Sequence, residues 1–324
     1  MKAVQVLDWA AGPKLVNIDP PEEPSSGTTQ VRVIASGLHQ LVKAMAAGKH
    51  YAAKTLPHTP GTDGVGVDVA TNKLVYFFLT GIPGRYSGSF VDVINVPTEN
   101  VVELPEGLDP IQVAALVNPV MSSWMALRER VDVLNEGWTC LVLGATSASG
   151  ALAIKIARAL GATKVYGAAR SQAKLDQLDL DGKIVLQDPP SATDFSVAST
   201  ASVVLDYLYG TYAQAFFEYL AAQPHSESSS PLTFVSIGFL SGGEALIPSA
   251  LLRSRDITIR GAGFGAWDVK KLGSQIPGMI GFLKGYEEER VKAVSAEDIE
   301  SAWGQPAKDG ARLVFVFDKD YGTA

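Results

Sequence analysis

A run of small residues between an apolar strand and an amphipathic helix is the strongest chemical signal in the sequence. The strand at 141–143 leads into Gly144, and the run ends at Gly150. Small side chains allow backbone N–H groups to approach a pyrophosphate, which the positive end of the following helix also stabilises. The predicted cofactor-binding residues of this loop are Gly144, Thr146, Ser147, Ala148, Ser149 and Gly150. The alternative is a tight strand-to-helix turn that binds no ligand.

The end of the next strand distinguishes between the two nicotinamide dinucleotides. Proteins that bind NAD place an Asp or Glu roughly 20 residues after the glycines, where it binds the ribose 2′-hydroxyl. The matching segment here has no acid and offers Arg170, Ser171 and Lys174 instead. A guanidinium, a hydroxyl and an ammonium suit a 2′-phosphate, so the sequence predicts NADPH as the cofactor. The alternative is that Arg170 and Lys174 are solvated surface charges.

The elements that carry this loop change character along the chain. From about residue 139 to residue 265 strands alternate with helices, which predicts an α/β domain with a parallel, doubly wound Rossmann sheet. The first hundred residues instead predict short antiparallel strands separated by Gly- and Pro-rich turns, at 4–7, 30–35, 64–69, 73–78, 88–93 and 101–103. A helical pattern from 265 to about 294 and a last strand follow. We expect one domain at 116–265 and a second at 1–115 with 266–324.

Composition excludes several classes of protein. Of the 324 residues 47% are hydrophobic and 19% charged, which excludes disorder and coiled coil. The net charge of −7 argues against nucleic acid or an anionic membrane as partner. The single cysteine, Cys140, rules out a disulfide framework and a Cys-rich zinc site, and we expect it to be buried and inert. With no signal-peptide or membrane-spanning pattern, we expect a cytoplasmic protein.

Sequence blocks along nearly the whole chain resemble the medium-chain dehydrogenase/reductase superfamily, in its zinc-free quinone oxidoreductase and enoyl reductase branch. The blocks are PGTDGVG (60–66), GSFVDVINVPTENVVELPEGLDPIQVAAL (88–116), GATSASG (144–150), VVLDYLYG (203–210), FVSIGFLSGG (234–243) and GARLVFV (310–316). The resemblance implies a GroES-like β-barrel domain beside the Rossmann domain, a cofactor cleft between them and a homodimer. One departure is Ser147, which stands where this branch commonly has glycine.

Within this resemblance, the positions of the catalytic zinc ligands carry other residues. Zinc-dependent relatives have Cys, His and Cys where this chain has His39, Thr62 and Asn118. Catalytic zinc needs three nitrogen, sulfur or carboxylate ligands, and His39 alone qualifies. The resemblance therefore implies no metal, and hydride transfer to a small, apolar, electron-poor acceptor such as a quinone or an α,β-unsaturated carbonyl. Asp63, beside a lost ligand, is expected to be a turn and hydrogen-bonding residue.

The resemblance also implies residues at the reacting end of the cofactor. His39 matches a position that faces the nicotinamide, and Tyr51 matches a tyrosine of the substrate pocket. Each can donate a hydrogen bond to the substrate oxygen or deliver a proton, and the alternative for each is a packing role without proton chemistry. Ser122 matches a threonine that contacts the nicotinamide or its ribose.

Further segments are expected to line the cofactor or the substrate pocket. Gly238, Phe239 and Leu240 follow a parallel strand at its carboxyl end, where ligands of such sheets bind. Arg312 matches a basic residue near the cofactor phosphates, and its alternative is a plain surface charge. The aromatic residues Tyr76, Phe77, Phe78 and Tyr86 are expected either to wall an apolar pocket or to be half-buried strand residues.

Together these expectations describe an NADPH-dependent, zinc-independent oxidoreductase that reduces a quinone or an activated C=C bond. Two alternatives remain open at the level of sequence. One is a non-catalytic NADPH-binding redox sensor or structural protein, and the other is a tailoring enoyl reductase of a biosynthetic pathway.

Overall fold

The computed structural model describes residues 1–50, 53, 55–79, 88–223, 231–263, 265–286, 288, 290–305 and 311–318. The described residues fall into two structural units. The antiparallel unit consists of Met1–Asn118 and Val269–Ala324, and the parallel unit consists of Pro119–Asp268. The tyrosines Tyr51 and Tyr86 of the sequence prediction lie outside the described residues.

The strands and helices are numbered in chain order. The strands are β1 (Lys2–Val6), β2 (Pro13–Asn17), β3 (Thr28–Gly37), β4 (Asp63–Asp68), β5 (Leu74–Phe78), β6 (Val93–Pro97), β7 (Val101–Glu103), β8 (Thr139–Leu143), β9 (Lys164–Ala169), β10 (Gly182–Val185), β11 (Val203–Asp206), β12 (Leu232–Ser236), β13 (Ile257–Gly261), β14 (Val291–Ser295) and β15 (Arg312–Val316). The helices are α1 (Gln40–Ala46), α2 (Pro110–Glu129), α3 (Ala148–Ala159), α4 (Gln172–Leu175), α5 (Gly210–Ala222), α6 (Ser249–Ser254), α7 (Leu272–Leu283) and α8 (Ile299–Ala302). Among the described residues, no helix is both long and apolar enough to cross a lipid bilayer.

The sheet of the parallel unit has the strand order β10-β9-β8-β11-β12-β13, and each neighbouring pair is parallel. Its strands are almost continuously apolar because helices cover both faces of such a sheet. The strand order reverses direction between β8 and β11, and ligands of doubly wound sheets bind at the carboxyl edge of this point. The predicted Rossmann fold is confirmed.

The sheet of the antiparallel unit has the order β14-β15-β3-β4-β5-β7, with β6 paired to β3. Its strand pairs are antiparallel except for β14 and β15, which are parallel. The C-terminal strand β15 pairs antiparallel with β3, so the end of the chain completes a sheet that begins near the N-terminus. Alternating residues of β3 and β5 fill the interior of this unit, where Val31, Val33 and Phe77 are fully or almost fully buried. The predicted second sheet domain is confirmed.

Two local expectations are wrong, and one strand was not predicted. The expected strand at 88–93 is replaced by β6, because the Gly88 backbone packs directly against that of Pro60 and the segment before β6 makes one isolated bridge, from Val91 to Ala3. The helical pattern expected to continue to residue 294 ends with α7, and the β-branched residues after it form β14 beside β15. The strand β2 was not expected, and it pairs antiparallel with β1.

Candidate functional site

The predicted dinucleotide loop connects β8 to α3 in the parallel unit. Gly144 has a φ of +89°, a conformation that favours glycine, and the N–H groups of Gly144 and Ala145 both donate to the Ala168 carbonyl. Ser147 caps α3, because its Oγ accepts the N–H of Gly150 at 3.0 Å. A Cβ atom on Gly150 would overlap the carbonyl oxygen of Gly144. The loop is therefore a tight backbone cradle at a helix N-terminus, which fits a pyrophosphate.

The predicted phosphate-binding side chains come directly after β9. Arg170 is exposed at the carboxyl end of this strand. Ser171 caps α4, since its Oγ accepts the N–H of Lys174 at 3.4 Å, and one turn therefore holds all three residues. The nearby acid Asp176 accepts a hydrogen bond from the Lys183 ammonium at 2.8 Å. Two cations and a hydroxyl thus stand at the edge of the sheet where the dinucleotide loop lies.

Asp206 organises the loop that follows β11. Its Oδ1 accepts the N–H groups of Leu208 and Tyr209 at 2.9 and 3.0 Å, and Tyr209 has a φ of +49°. Burial raises the pKa of Asp206 to about 6, while the two backbone hydrogen bonds lower it. The carboxyl group thereby fixes a strained turn at the carboxyl edge of the sheet.

The predicted nicotinamide-side residues lie next to this turn. The N–H of Gly238 donates to the Asp206 carbonyl at 3.0 Å, and a Cβ atom on Gly238 would lie 2.6 Å from the Tyr207 carbonyl oxygen. Phe239 and Leu240 follow with side chains that are 77% and 74% exposed. Exposed apolar side chains at the carboxyl edge of a parallel sheet are placed where a planar ring can pack against them.

Ser122 lies on α2 and belongs to the parallel unit. Its hydroxyl donates to the Pro119 carbonyl at 2.9 Å and lies 3.4 Å from the hydroxyl of Tyr207. Burial raises the pKa of Tyr207 to about 12, so this phenol stays protonated. Sequence reasoning missed Tyr207, and the signal that could have found it is its place directly after a strand that ends at the carboxyl edge.

His39 is the predicted catalytic residue that the structure describes. It precedes α1 without capping it, and its side chain is 9% exposed. Burial and the positive charge of Arg312 lower the pKa of His39 to about 3, so the imidazole is neutral around pH 7. Its Nε2 atom is buried without a hydrogen-bond partner and lies 3.8 Å from Oδ1 of Asp63.

Asp63, at the start of β4, is the centre of a buried hydrogen-bonded cluster. Thr62 donates its hydroxyl proton to Oδ1 at 2.8 Å, and Tyr76 donates to Oδ2 at 3.0 Å. The amide of Asn118 donates to Thr62 Oγ1 at 3.4 Å. Burial raises the pKa of Asp63 to about 6, against the opposing effect of the Thr62 and Tyr76 hydrogen bonds. We call His39, Thr62, Asp63, Tyr76 and Asn118 the Asp63 cluster.

Three residues of this cluster, His39, Thr62 and Asn118, are those that the sequence resemblance matches to the zinc ligands of metal-dependent relatives. Thr62 and Asn118 hydrogen-bond to each other, and they offer a hydroxyl and an amide where an imidazole and a thiolate would be needed. Among the described residues, no group of three His, Cys, Asp or Glu side chains is close enough to hold a metal ion. The donor set therefore does not fit a catalytic zinc.

Arg312 is the first residue of β15, and its side chain is more buried than expected for a plain surface charge. Burial lowers its pKa, and the charge of Glu288 acts in the opposite direction. Glu288 also accepts hydrogen bonds from Tyr286 at 3.0 Å and from Arg290 at 2.9 Å. The structure thus places Arg312 in a group of charged side chains within the antiparallel unit, and its predicted contact with cofactor phosphates stays a prediction.

Two other sequence expectations concern packing. Tyr76, Phe77 and Phe78 are at most 3% exposed, so they are core residues of β5, and the Tyr76 hydroxyl alone takes part in the polar cluster. Cys140 is fully buried in β8, where burial raises the pKa of its thiol. A thiol kept protonated is a poor nucleophile, so the expectation of an inert cysteine agrees with its surroundings.

No protein-family model matches the chain. The chain is, however, similar to named proteins and to solved structures. The chain is 33% identical to a protein of Emericella nidulans named probable NADPH-dependent quinone reductase tdiC, over 98% of this chain and 100% of the relative. It is 29% identical to human quinone oxidoreductase over 53% of this chain and 54% of that relative. The solved structure of the Thermus thermophilus quinone oxidoreductase, described also in complex with NADPH, matches with a TM-score of 0.72 at 22% identity, over 98% of this chain and 100% of that one.

The fold and the relatives together define the class of protein. A doubly wound parallel sheet together with a separate antiparallel sheet unit is the architecture shared with the medium-chain reductase structures. The chain belongs to the medium-chain dehydrogenase/reductase superfamily, in its quinone oxidoreductase family.

Proposed function

We propose that this protein is an NADPH-dependent reductase that transfers hydride to a quinone, or to the activated C=C bond of an α,β-unsaturated carbonyl, without a catalytic metal. The observation that carries the proposal is the glycine cradle after β8 together with Arg170, Ser171 and Lys174 after β9. The relative of Emericella nidulans that aligns along its full length is named for NADPH and a quinone, which supports the same assignment.

The chain's own residues divide the binding of NADPH among backbone and side chains. The loop from Gly144 to Gly150 takes the pyrophosphate, because its small residues at the N-terminus of α3 let backbone N–H groups approach the phosphates. Arg170, Ser171 and Lys174 take the 2′-phosphate, to which a guanidinium can bind bidentately. Ser122, with Gly238, Phe239 and Leu240, borders the nicotinamide, and Arg312 adds positive charge.

Bound NADPH supplies a hydride from its nicotinamide ring. The chain must stabilise the negative charge that then develops on the substrate oxygen, and it must provide one proton. Since His39 is neutral, it can donate an N–H hydrogen bond to that oxygen in the tautomer that carries the hydrogen on the nitrogen facing the substrate, a type of contribution known from enzymes with neutral catalytic imidazoles. Tyr51 is proposed as the proton donor, with water as its alternative.

The absence of a catalytic zinc is the finer part of the proposal. A hydroxyl and an amide at Thr62 and Asn118 leave His39 without the partners that zinc requires. A strong chelator should therefore leave the quinone reductase activity unchanged, and elemental analysis of the active protein should find no stoichiometric zinc. Loss of activity on chelation, restored by zinc, would disprove a metal-free reaction.

The cofactor assignment is tested through Arg170. For Arg170→Ala we expect the Kd for NADPH to rise about 10- to 100-fold, the effect of losing one charge-assisted phosphate contact, while the Kd for NADH stays unchanged. Lys164→Ala, at the opposite end of the same strand β9, is the matched control and should bind NADPH like the wild type. Equal NADPH affinities in all three proteins would disprove the phosphate assignment.

The resemblance to homodimeric relatives leads us to propose the same assembly here. Light scattering on the purified protein tests it, because twice the 34.3 kDa mass of the chain is expected. A mass of one chain at enzymatic concentration would contradict it.

A further inference from the structure

The Asp63 cluster has one unsatisfied position, at Nε2 of His39. Asp63 is 2% exposed and already accepts hydrogen bonds from Thr62 on Oδ1 and from Tyr76 on Oδ2. The distance of 3.8 Å from Nε2 to Oδ1 is about 1 Å too long for a hydrogen bond. A buried polar atom without a hydrogen-bond partner destabilises the folded protein, so a small movement that closes this gap is favourable.

Closing the gap is possible in two arrangements of protons. An ionised Asp63 accepts a hydrogen bond from an Nε2–H group, whereas a protonated Asp63 donates to the lone pair of Nε2. A neutral imidazole carries a single N–H, so the second arrangement places that hydrogen on Nδ1. The two arrangements therefore differ in what the other nitrogen of the ring presents, a lone pair in the first and an N–H donor in the second.

We infer that Asp63 is a positioning residue for His39, which sets the tautomer of the imidazole and so decides whether the ring presents an N–H donor or a lone pair on its side away from Asp63. The inference stands on the shared burial of the two side chains, on the unpartnered Nε2 that faces the carboxyl group, and on the anchoring of both carboxyl oxygens.

The charged and titratable groups around the pair support this assignment. Tyr76 on β5 faces the carboxyl group, Arg312 on β15 acts on the imidazole, and Thr62 and Asn118 are neutral. Burial and Arg312 hold the pKa of His39 near 3, which keeps the ring neutral, while burial raises the pKa of Asp63 to about 6. The Nδ1–H tautomer is therefore present between about pH 3 and pH 6 and gives way to the Nε2–H tautomer as the pH rises through about 6.

The consequence for catalysis rests on the proposed function. Reduction adds a hydride to the acceptor and leaves an oxyanion that needs one proton. Neutral His39 can give up its Nδ1 proton to that oxygen when Nε2 gains a proton from Asp63 in the same step. The carboxyl O–H and the Nδ1–H bonds break, the Nε2–H and substrate O–H bonds form, and Asp63 ends as a carboxylate that water reprotonates through the same path. Asp63 thus makes a neutral imidazole competent as an acid.

The experiment is NMR on protein with isotope-labelled histidine and no substrate, since the chemical shifts of the two ring nitrogens report the tautomer. In the wild type we expect the His39 signals to change from Nδ1–H to Nε2–H as the pH rises through about 6. Asp63→Asn removes the group that titrates, so the change of tautomer near pH 6 should be absent. Asp68→Asn, at the other end of β4, is the matched control and should behave like the wild type.

A second variant keeps the test decisive if Asp63→Asn does not fold. Tyr76→Phe removes a hydrogen bond that lowers the pKa of Asp63, so the tautomer change should move to higher pH. A His39 tautomer that is the same at all pH values in the wild type, or an unshifted change in Tyr76→Phe, would overturn the inference. Because no substrate is present, this failure would be distinct from a failure to oxidise NADPH.

Discussion

The dinucleotide loop and the Asp63 cluster differ in which parts of the chain form them, backbone groups in the first and side chains in the second. The loop consists of seven consecutive residues, 144–150, and the pyrophosphate binding proposed for it depends on backbone N–H groups and on the absence of side chains at Gly144 and Gly150. The Asp63 cluster takes its polar side chains from separate segments, and its chemistry depends on a carboxyl group and an imidazole with shifted pKa values.

This difference determines how well each site tolerates substitution. A backbone cradle tolerates changes of small side chains, which is why Ser147 can stand in place of a common glycine and even cap α3. A side-chain cluster tolerates little, because each buried donor satisfies an acceptor that otherwise stays unpaired. Changes in the loop should therefore affect cofactor affinity, and changes in the cluster should affect stability and chemistry.

The largest effect is expected from filling the cradle. In Gly150→Val the new side chain overlaps the Gly144 carbonyl, so we expect the Kd for NADPH to rise more than about 100-fold in a fluorescence titration. Gly243→Ala is the matched control, because a Cβ atom at Gly243 meets no atom within 4 Å. Tight NADPH binding by Gly150→Val would show that the loop does not hold the pyrophosphate.

A smaller effect is expected on stability when the cluster loses one donor. Tyr76→Phe removes the hydrogen bond to Asp63, which should lower the free energy of unfolding by about 1–3 kcal/mol near pH 8. The hydrogen bond from Tyr76 lowers the pKa of Asp63, so the pKa rises further in the variant. Because this hydrogen bond stabilises the carboxylate form of Asp63 most, the loss of unfolding free energy should become smaller as the pH falls below about 6 and Asp63 is protonated.

Urea unfolding of the wild type and of Tyr76→Phe, near pH 8 and again below about pH 6, measures how the loss of stability depends on pH. The control is Tyr166→Phe in β9, a buried tyrosine whose loss of the hydroxyl leaves no buried carboxylate unpaired. An equal loss of stability at acid and neutral pH would contradict an ionised Asp63 at the centre of the cluster.

The smallest effect is expected at Asp206, the buried carboxyl group of the parallel unit, for which we expect a structural role and not the role proposed for Asp63. Asp206 also has a raised pKa, but its oxygens accept backbone N–H groups rather than face a histidine. Asp206→Asn keeps one acceptor oxygen, so we expect a loss of about 1 kcal/mol in unfolding free energy and only a few-fold weaker NADPH binding. A complete loss of hydride transfer with normal NADPH affinity would instead assign chemistry to Asp206.

Much of the parallel unit could be predicted from sequence because its signals are local. The strand, the loop to Gly150, the helix and the segment with Arg170 follow one another in the chain, and the alternation of strands and helices predicts a parallel sheet. The bounds of β6, α7 and β14 were harder, because contacts with Pro60 and pairing with β15 override local propensity.

The Asp63 cluster could be predicted only in part. His39, Thr62 and Asn118 were found through a resemblance, and Asp63 was expected to make hydrogen bonds. The role of Tyr76 was not found, because the alternation of β5 marks it as a core residue and does not show what its hydroxyl meets. Tyr207 was missed for the same reason, since burial of a phenol does not reveal its partner.

The most direct test of the division between binding and chemistry is a single-turnover measurement on His39→Phe, which keeps a ring and removes both nitrogens. His39 belongs to the antiparallel unit and not to the dinucleotide loop, so we expect a folded protein whose NADPH Kd stays within about twofold of the wild type. The rate of NADPH oxidation by a quinone should fall about 10- to 100-fold, the effect of losing a hydrogen bond to the developing oxyanion. An unchanged rate, or a slower rate explained entirely by weaker NADPH binding, would contradict the assignment of the chemistry to the Asp63 cluster.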